Sequence, residues 1–455
     1  MDHAAPAVWD ELWRLLSLRD ANTRVVLAGT GLLGLASGVI GTFAVLRRRA
    51  LVGDAVAHAA LPGICLAYFT VGTRSFTAFL VGALISGVFA AASIAFVRAF
   101  TRVKEDAAIG IVIGSFFGLG LVLSKIIQDQ PTGNAAGLGR FLLGSAAAMV
   151  RADAWRIAGV AGAIVVCVAL LYKEFKVLCF DTPFAASTGL PTAGLDLLLM
   201  ALICICTVVG LPAVGVVLMV ALLIIPGVTA RFWTDRLGSM LLIAGAVGLG
   251  SGVVGTALSD VMPTLESMPT RGWPTGAMIV LTAGACFVVS LLAAPRRGVL
   301  AGFFRRWGVR RRVADQHLLR AVYESLEPDG NLRRAWRIES LTTGRRPGRI
   351  AGGSLRRAQR RRWLERTPDG YALTQAGADQ AARQVRTHRL WELFLIDQAS
   401  IAPDHVDRDA DQLEHVLPAD VLARIEGELE RQGRLPKPVP PSPHPIAGAE
   451  RSPAR

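Results

Sequence analysis

Between residues 25 and 295 the chain repeats one pattern: apolar or small-residue runs of roughly 17 to 23 positions, separated by short polar intervals. At helical rise, a run of that length crosses the hydrocarbon core of a bilayer. The pattern predicts spans at about 25–46, 54–72, 76–97, 107–127, 154–172, 193–209, 211–230, 237–259 and 275–294. That makes nine, or eight if 193–230 is one helix broken around Gly210-Leu211-Pro212. After residue 300 the pattern changes and no run is long enough to span. Leu318, Leu319, Val322, Tyr323 and Leu326 share one face of an amphipathic helix, and Pro328-Asp329-Gly330 is a turn. Helix-sized segments follow near 332–341 and 353–361. Residues 363–374 then read as strand, turn, strand, with the turn at Pro368-Asp369-Gly370. Three helices and a hairpin make a winged-helix pattern. The fold expected is therefore an all-α polytopic membrane domain of eight or nine transmembrane helices (1–300), then a basic juxtamembrane linker (301–313). A winged-helix α+β domain (314–380), a small helical domain (381–446) and a disordered tail (447–455) complete it.

Composition agrees with this division. The chain is 52% hydrophobic with a mean hydropathy of +0.44, too apolar for a soluble protein of 455 residues. Its net charge of +14 is unevenly placed: residues 301–370 carry 18 Lys or Arg against 7 Asp or Glu, while 371–455 carry 10 against 13. The basic block suits anionic lipid or nucleic acid. Within the membrane half, Arg47-Arg48-Arg49, Arg102 with Lys104, Lys173 with Lys176, Arg231 with Arg236, and Arg296-Arg297 all fall on one side of a nine-span count. The positive-inside rule makes that side, and the C-terminal half, cytoplasmic in a plasma (inner) membrane protein, with the N-terminus outside if there are nine spans. No cleavable leader is expected in residues 1–23, which are interrupted by charge. The six cysteines all lie in the membrane half without a Cys-x-x-Cys and read as packing residues.

Two ionisable residues interrupt the apolar pattern where chemistry is the natural explanation. Asp54 and His58 are four apart inside a span, so carboxylate and imidazole share one helix face. Ionisable groups at membrane depth usually line a substrate path, and an oxygen beside a nitrogen ligand suits Mn²⁺, Fe²⁺ or Zn²⁺. The alternative is a helix cap at Asp54 and a backbone partner for His58. Gly34 with Gly38, and Gly110 with Gly114, have the spacing of close helix packing. Phe180 to Pro191 reads as a short capped helix in a cytoplasmic loop, with Thr182 as N-cap, Pro183 in the first turn and Gly189 as C-cap. Such a helix could dock a motor subunit or merely connect two spans. Asp260 and Glu266, in an outer loop, could attract cations or simply be solvated.

In the soluble half, Arg356, Arg357, Arg360, Arg361 and Arg362 crowd the segment where a winged helix would present its recognition helix, and suit contact with DNA phosphates or lipid head groups. His388 and Glu392 are i and i+4. Asp411, Glu414 and His415 are i, i+3 and i+4. Each set occupies one helix face; packed together they would offer mixed N/O coordination to a divalent transition metal, and separately each is an ordinary charged face. No Gly-x-x-x-x-Gly-Lys-Ser/Thr loop occurs, so the chain is not expected to be an enzyme that hydrolyses ATP itself.

These motifs occur in a telling order. The stretch from Ala44 to Arg47, then Gly53-Asp54-Ala55-Val56-Ala57-His58-Ala59-Ala60-Leu61-Pro62-Gly63, resembles the membrane permeases of manganese, zinc and iron ABC importers. Glu105 to Ile111, Phe180-Asp181 to Gly189-Leu190-Pro191, Val214 to Pro226, and Pro274-Thr275-Gly276 resemble further signatures of that family, across about residues 20 to 300. The resemblance implies that Asp54 and His58 line the ion path and that Asp181, Pro183 and Gly189 shape the loop coupled to an ATPase. It also implies an ABC ATPase subunit as the only user of ATP, an extracytoplasmic metal-binding protein, and a second permease copy or paralogue.

Residues 314–446 resemble the metal-dependent repressors of the diphtheria-toxin-repressor family, through the winged-helix pattern, His388-Arg389-Leu390-Trp391-Glu392, Glu414-His415 and Pro443-His444-Pro445-Ile446. The resemblance implies a cytoplasmic metal site at His388, Glu392, Asp411, Glu414 and His415. Asp407 falls where some members use histidine, and His317 falls at the first-helix ligand position. One turn on, Arg320 stands where manganese-sensing members carry a carboxylate. Gly344, Gly348, Gly352 and Gly353 also stand where helix would be expected, which argues against DNA as a partner. The function expected is a permease moving Mn²⁺, Fe²⁺ or Zn²⁺, governed by a metal-sensing tail. The rival is a membrane-tethered metal-responsive transcription regulator, which would need no intramembrane ligands.

Overall fold

The computed structural model describes residues 21–72, 75–129, 144, 146, 149–265, 273–338 and 352–399, with isolated positions between 424 and 439. The chain divides into two compact units, Met1–Gly302 and Phe303–Arg455.

The first unit is helical throughout its described residues: α1 (Ala21–Leu46), α2 (Ala50–Val71), α3 (Phe76–Phe100), α4 (Glu105–Gln128), α5 (Arg151–Leu170), α6 (Tyr172–Phe180), α7 (Thr182–Ser187), α8 (Thr192–Val214), α9 (Val216–Trp233), α10 (Leu237–Leu265) and α11 (Thr275–Ala293). Eight of these are long and apolar enough to cross a membrane. The ninth expected span is α9, whose apolar part runs only from Leu218 to Trp233. The break before it differs from expectation. Gly210 and Pro212 stay inside α8, and the chain turns at Gly215, with φ at 92°. Pro212 removes one helical hydrogen bond, but a turn through positive φ needs a residue without Cβ, and Gly215 supplies it.

α2 lies at the centre of the unit, packed against α3, α4, α8 and α9. Its Val52, Ala55, Val56, Ala59 and Ile64 are buried in the main apolar core with Phe43, Ile203 and Leu223. α1 lies against α10 at backbone distance: a Cβ on Gly34 would overlap the carbonyl of Gly248, and one on Gly38 the carbonyl of Ala244. The small-residue spacing read in α1 is therefore a packing seam. The same spacing in α4 is not, since a Cβ on Gly110 or Gly114 meets nothing within 4 Å among the described residues. Gly34→Leu should cost at least about 2 kcal/mol, because two backbones must separate. Gly110→Leu should be tolerated by the monomer. Size-exclusion profiles and melting of the two detergent-solubilised variants test this, and a normal Gly34→Leu profile would refute the seam.

The second unit begins within the helix α12 (Val299–Leu326). Leu318, Leu319, Val322, Tyr323 and Leu326 are buried as the amphipathic pattern requires, together with Leu355, Ala358, Leu364, Leu373 and Val385. Strand β1 (Leu364–Thr367) pairs antiparallel with β2 (Gly370–Leu373), with Leu364 opposite Leu373, Arg366 opposite Tyr371 and the turn at Pro368-Asp369. The helix expected near 332–341 does not form across Leu332–Trp336. Instead Trp336 bridges to Tyr371 through two backbone hydrogen bonds of 2.8 and 2.9 Å, adding a stub to the hairpin. Trp336 is buried and its ring lies 5.6 Å from that of Tyr371, so an aromatic pair outweighs local helix preference. α13 (Gly352–Arg360) includes Gly352 and Gly353 in its first turn; Gly344 and Gly348 lie outside the described residues. α14 (Gln375–Ala399) completes the described part of this unit, apart from the isolated positions 424–439.

Candidate functional site

Asp54 and His58 lie on the second and third turns of α2. His58 Nε2 is 3.3 Å from Asp54 Oδ1, and the side chains keep 21% and 30% exposure within a stretch, Val52 to Cys65, that is otherwise buried. Ala55, Ala57 and Ala59 around them are buried and carry no competing polar group. The imidazole packs edge-on against Phe117 of α4, with centroids 4.9 Å apart and planes at 79°, which fixes the ring's orientation. Its Nδ1 is buried and makes no hydrogen bond. Pro62, four residues on, has no N–H to give to the His58 carbonyl, so a backbone oxygen is released from the helical ladder beside the pair. No cluster of three or more His, Cys, Asp or Glu forms among the described residues. A cation held here would complete its shell with water, backbone oxygen or groups of another chain. Open coordination of that kind suits an ion in transit better than a closed structural site.

Immediately before α2 lies a feature that the sequence reading missed. Asp196 of α8 holds two arginines of the α1–α2 turn: Arg47 Nη2 donates to Oδ1 at 2.9 Å, and Arg49 Nη1 lies 2.7 Å from Oδ2. Arg47 Nη1 also donates to the Leu178 carbonyl and the Thr182 hydroxyl, both at 2.9 Å. Arg49 is buried and touches Met200 Sδ at 2.9 Å. One carboxylate thus links the turn that starts α2 to the end of α6, the start of α7 and the first turns of α8. The available signal was that Asp196 is the lone acid between Asp181 and Asp235.

The short helix α7 forms where expected, but its cap is Asp181, whose Oδ1 accepts from Phe184 N at 2.9 Å. Thr182 is not the cap, because its hydroxyl donates back to Leu178 O and accepts from Arg47. Pro183 occupies the first turn, Thr188 closes the helix, and Gly189 follows with φ at 81°, a conformation that favours glycine. Pro183 and Phe184 are exposed, giving α7 an apolar outer face. Asp260 is exposed at the end of α10, and Glu266 lies outside the described residues.

In the second unit, His388 and Glu392 of α14 are fully buried, 3.3 Å apart from Nε2 to Oε1. Arg320 of α12 reaches the same spot: its Nη1 is 2.9 Å from His388 Nδ1 and 3.1 Å from Nε2, and its Nε is 3.5 Å from Glu324 Oε1. His317 lies partly buried one turn earlier on α12. Asp407, Asp411, Glu414 and His415 lie outside the described residues. Neighbouring Arg389 is buried and bound to both Glu327 oxygens, at 2.8 and 2.5 Å. Burial works against its charge, but the hydrogen bond and charge of Glu327 outweigh that and raise its pKa. Tyr323 is pushed up by burial and by Glu327.

Of the arginines on and just after α13, Arg356, Arg360, Arg361 and Arg362 are exposed. Arg357 is not available for an outside ligand: it donates to Asp315 Oδ1 from Nε at 3.0 Å and from Nη2 at 2.7 Å, with Asp315 only 4% exposed. Arg361 lies 3.8 Å from Asp315 Oδ2 and 4.8 Å over the Trp363 ring.

Known proteins bear on both units. A family profile described as the ABC 3 transport family matches residues 20–294, and one for the iron dependent repressor metal binding and dimerisation domain matches residues 374–437. The manganese transport system membrane protein MntC of Bacillus subtilis strain 168 is 38% identical over 432 residues, covering 94% of this chain and 96% of that protein. The zinc transport system membrane protein TroC of Treponema pallidum strain Nichols is 41% identical over 295 residues, covering 65% of this chain and 96% of that protein. Among solved structures, PsaBC from Streptococcus pneumoniae in complex with Fab matches with a TM-score of 0.55 and 29% identity, covering 64% of this chain and 97% of the matched one. The chain is therefore a multi-pass membrane protein that belongs to the ABC 3 transport family, with an iron-dependent-repressor C-terminal domain joined to the permease.

Proposed function

We propose that this chain is the permease subunit of an importer that moves Mn²⁺, Fe²⁺ or Zn²⁺ into the cytoplasm, and that its cytoplasmic second unit senses the same class of ion and regulates transport. The observation that carries this reading is the Asp54–His58 pair, exposed along one face of the central helix α2 with a ring nitrogen uncommitted. Manganese and zinc in the names of the relatives support the ion class. Borderline N/O donors fit all three ions, so the pair alone does not choose among them.

In this reading an extracytoplasmic binding protein delivers the ion to a path completed by a second permease copy or paralogue. A partly hydrated cation exchanges water for the Asp54 carboxylate and a His58 nitrogen; the carboxylate offsets its charge where the bilayer would not. Phe117 holds the imidazole so that little ordering is needed on arrival. A separate ATPase subunit hydrolyses ATP and docks at the exposed face of α7, shaped by Asp181, Pro183 and Gly189. The second unit would take metal at His388 and Glu392 together with Asp411, Glu414 and His415. Regulation then follows if its two arrangements differ in metal affinity. DNA is the weaker partner for this unit, because two of its five clustered arginines, Arg357 and Arg361, turn toward Asp315, leaving Arg356, Arg360 and Arg362 exposed.

The reading is tested by uptake. The chain, co-expressed with its ATPase and binding protein in cells lacking their own manganese and zinc importers, should restore ATP-dependent accumulation of at least one labelled ion among Mn²⁺, Zn²⁺ and Fe²⁺. Accumulation of none of them by correctly inserted protein would overturn it.

A further inference from the structure

We propose that Arg320 is a built-in cation at the metal position of the second unit, and that metal can bind there only by displacing its guanidinium. This rests on the sensor reading above and adds what sets the sensor's threshold. Arg320 Nη1 lies over the face of the His388 ring, 2.9 Å from Nδ1 and 3.1 Å from Nε2, and Glu392 Oε1 lies 3.3 Å from Nε2. His388 and Glu392 have no exposure to water, so the carboxylate there needs a positive neighbour, and the guanidinium brings one close. A divalent ion bound through a His388 nitrogen would lie within a few ångströms of that guanidinium. The fixed positive charge repels the ion and crowds its remaining ligand positions, so binding is opposed while Arg320 stays over the ring.

Arg320 also has somewhere to go. It lies on α12, where Glu324 sits one turn further on with its carboxylate 3.5 Å from Arg320 Nε, and Glu324 keeps 23% exposure. A swing of the guanidinium toward Glu324 and solvent would free the His388 ring without leaving the arginine buried and unpaired. The exchange is one cation for another: two arrangements of one cluster, with metal stabilising the one in which Arg320 has withdrawn. Such a cluster responds only above the metal concentration that overcomes the guanidinium, which suits a domain joined to an importer.

The test is a titration of the detergent-purified full chain with Mn²⁺ and, separately, Zn²⁺. Every sample carries Asp54→Ala/His58→Ala so that the membrane pair does not contribute. Arg320→Gln should bind metal at least about tenfold more tightly than the parent, since a unit charge beside the site is removed. Arg320→Lys should bind nearly as weakly as the parent. Adding His388→Ala to Arg320→Gln should abolish the gain. If Arg320→Gln fails to fold, Arg320→Met, of similar length and apolar, takes its place. Metal bound tightly by the parent and no more tightly by Arg320→Gln overturns the proposal and leaves the sensor reading standing. Binding by Arg320→Gln with none by the parent also overturns the proposal, since Arg320 would then be a permanent occupant that metal does not displace. Binding by neither overturns both.

Discussion

Alanine at Asp54 or His58 should reduce metal uptake by about a hundredfold or more while the protein still inserts and still co-purifies with its ATPase. The size follows from charge. A divalent ion that has shed part of its water inside a bundle is offset there by one carboxylate, and losing it leaves several kcal/mol uncompensated. Each 1.4 kcal/mol is about a factor of ten. Insertion should survive, because both side chains are partly exposed and removal of a charge from a span favours the membrane. Asp54→Glu, which keeps the charge but moves it outward by one methylene, should recover part of the rate; Asp54→Asn should not. His58→Ala opens space beside Phe117, so its loss should appear as much in the apparent affinity for the ion as in the maximal rate. Initial rates of labelled-ion uptake at several concentrations, normalised to inserted protein, decide the matter. A double variant that transports normally would remove the pair from the ion path.

Much of this arrangement can be read from the sequence, and the limits have physical reasons. Spans are legible because a bilayer demands long apolar runs, and α1 to α5, α8, α10 and α11 lie where the pattern puts them. The pair on α2 is legible because helical spacing alone puts residues four apart on one face. The amphipathic face of α12 and the hairpin turn are legible for the same local reason. What sequence does not disclose is non-local. Trp336 leaves its expected helix for a strand partner 35 residues away. Gly34 and Gly110 sit in identical spacings, yet one abuts a helix and the other abuts nothing among the described residues. Asp181 and Thr182 are both good caps by composition, and only the presence of Arg47 decides which hydroxyl or carboxylate is free to serve. Arg320 reads as a departure from a ligand pattern, but its position against His388 depends on how α12 and α14 pack.

Asp196→Ala should uncouple the importer: ATP hydrolysis should continue, stimulation by metal-loaded binding protein should fall by about tenfold or more, and transport should fall with it. Arg47, Arg49 and Asp196 form a three-part contact in which one carboxylate holds two guanidiniums, at 17%, 7% and 17% exposure respectively. Removing the carboxylate leaves two like charges close together and mostly withdrawn from water, a loss of about 3 kcal/mol by the usual cost of breaking such pairs. The link runs between the two places where the proposed cycle acts. Arg47 grips Leu178 O and Thr182 at the start of α7, and the Arg47–Arg49 turn leads directly into α2, with Asp54 five residues after Arg49. A displacement of α7 by a docked ATPase would therefore be carried to α2 through fixed hydrogen bonds, and less so through loop backbone alone. Asp196→Glu should keep partial coupling, since both arginines can still reach a carboxylate. Asp196→Asn should behave like alanine, because an amide can accept from one arginine but cannot balance two charges. Co-purification of the ATPase separates uncoupling from loss of docking, and a melting curve separates it from unfolding. Wild-type transport by a folded Asp196→Ala protein would reduce the contact to packing.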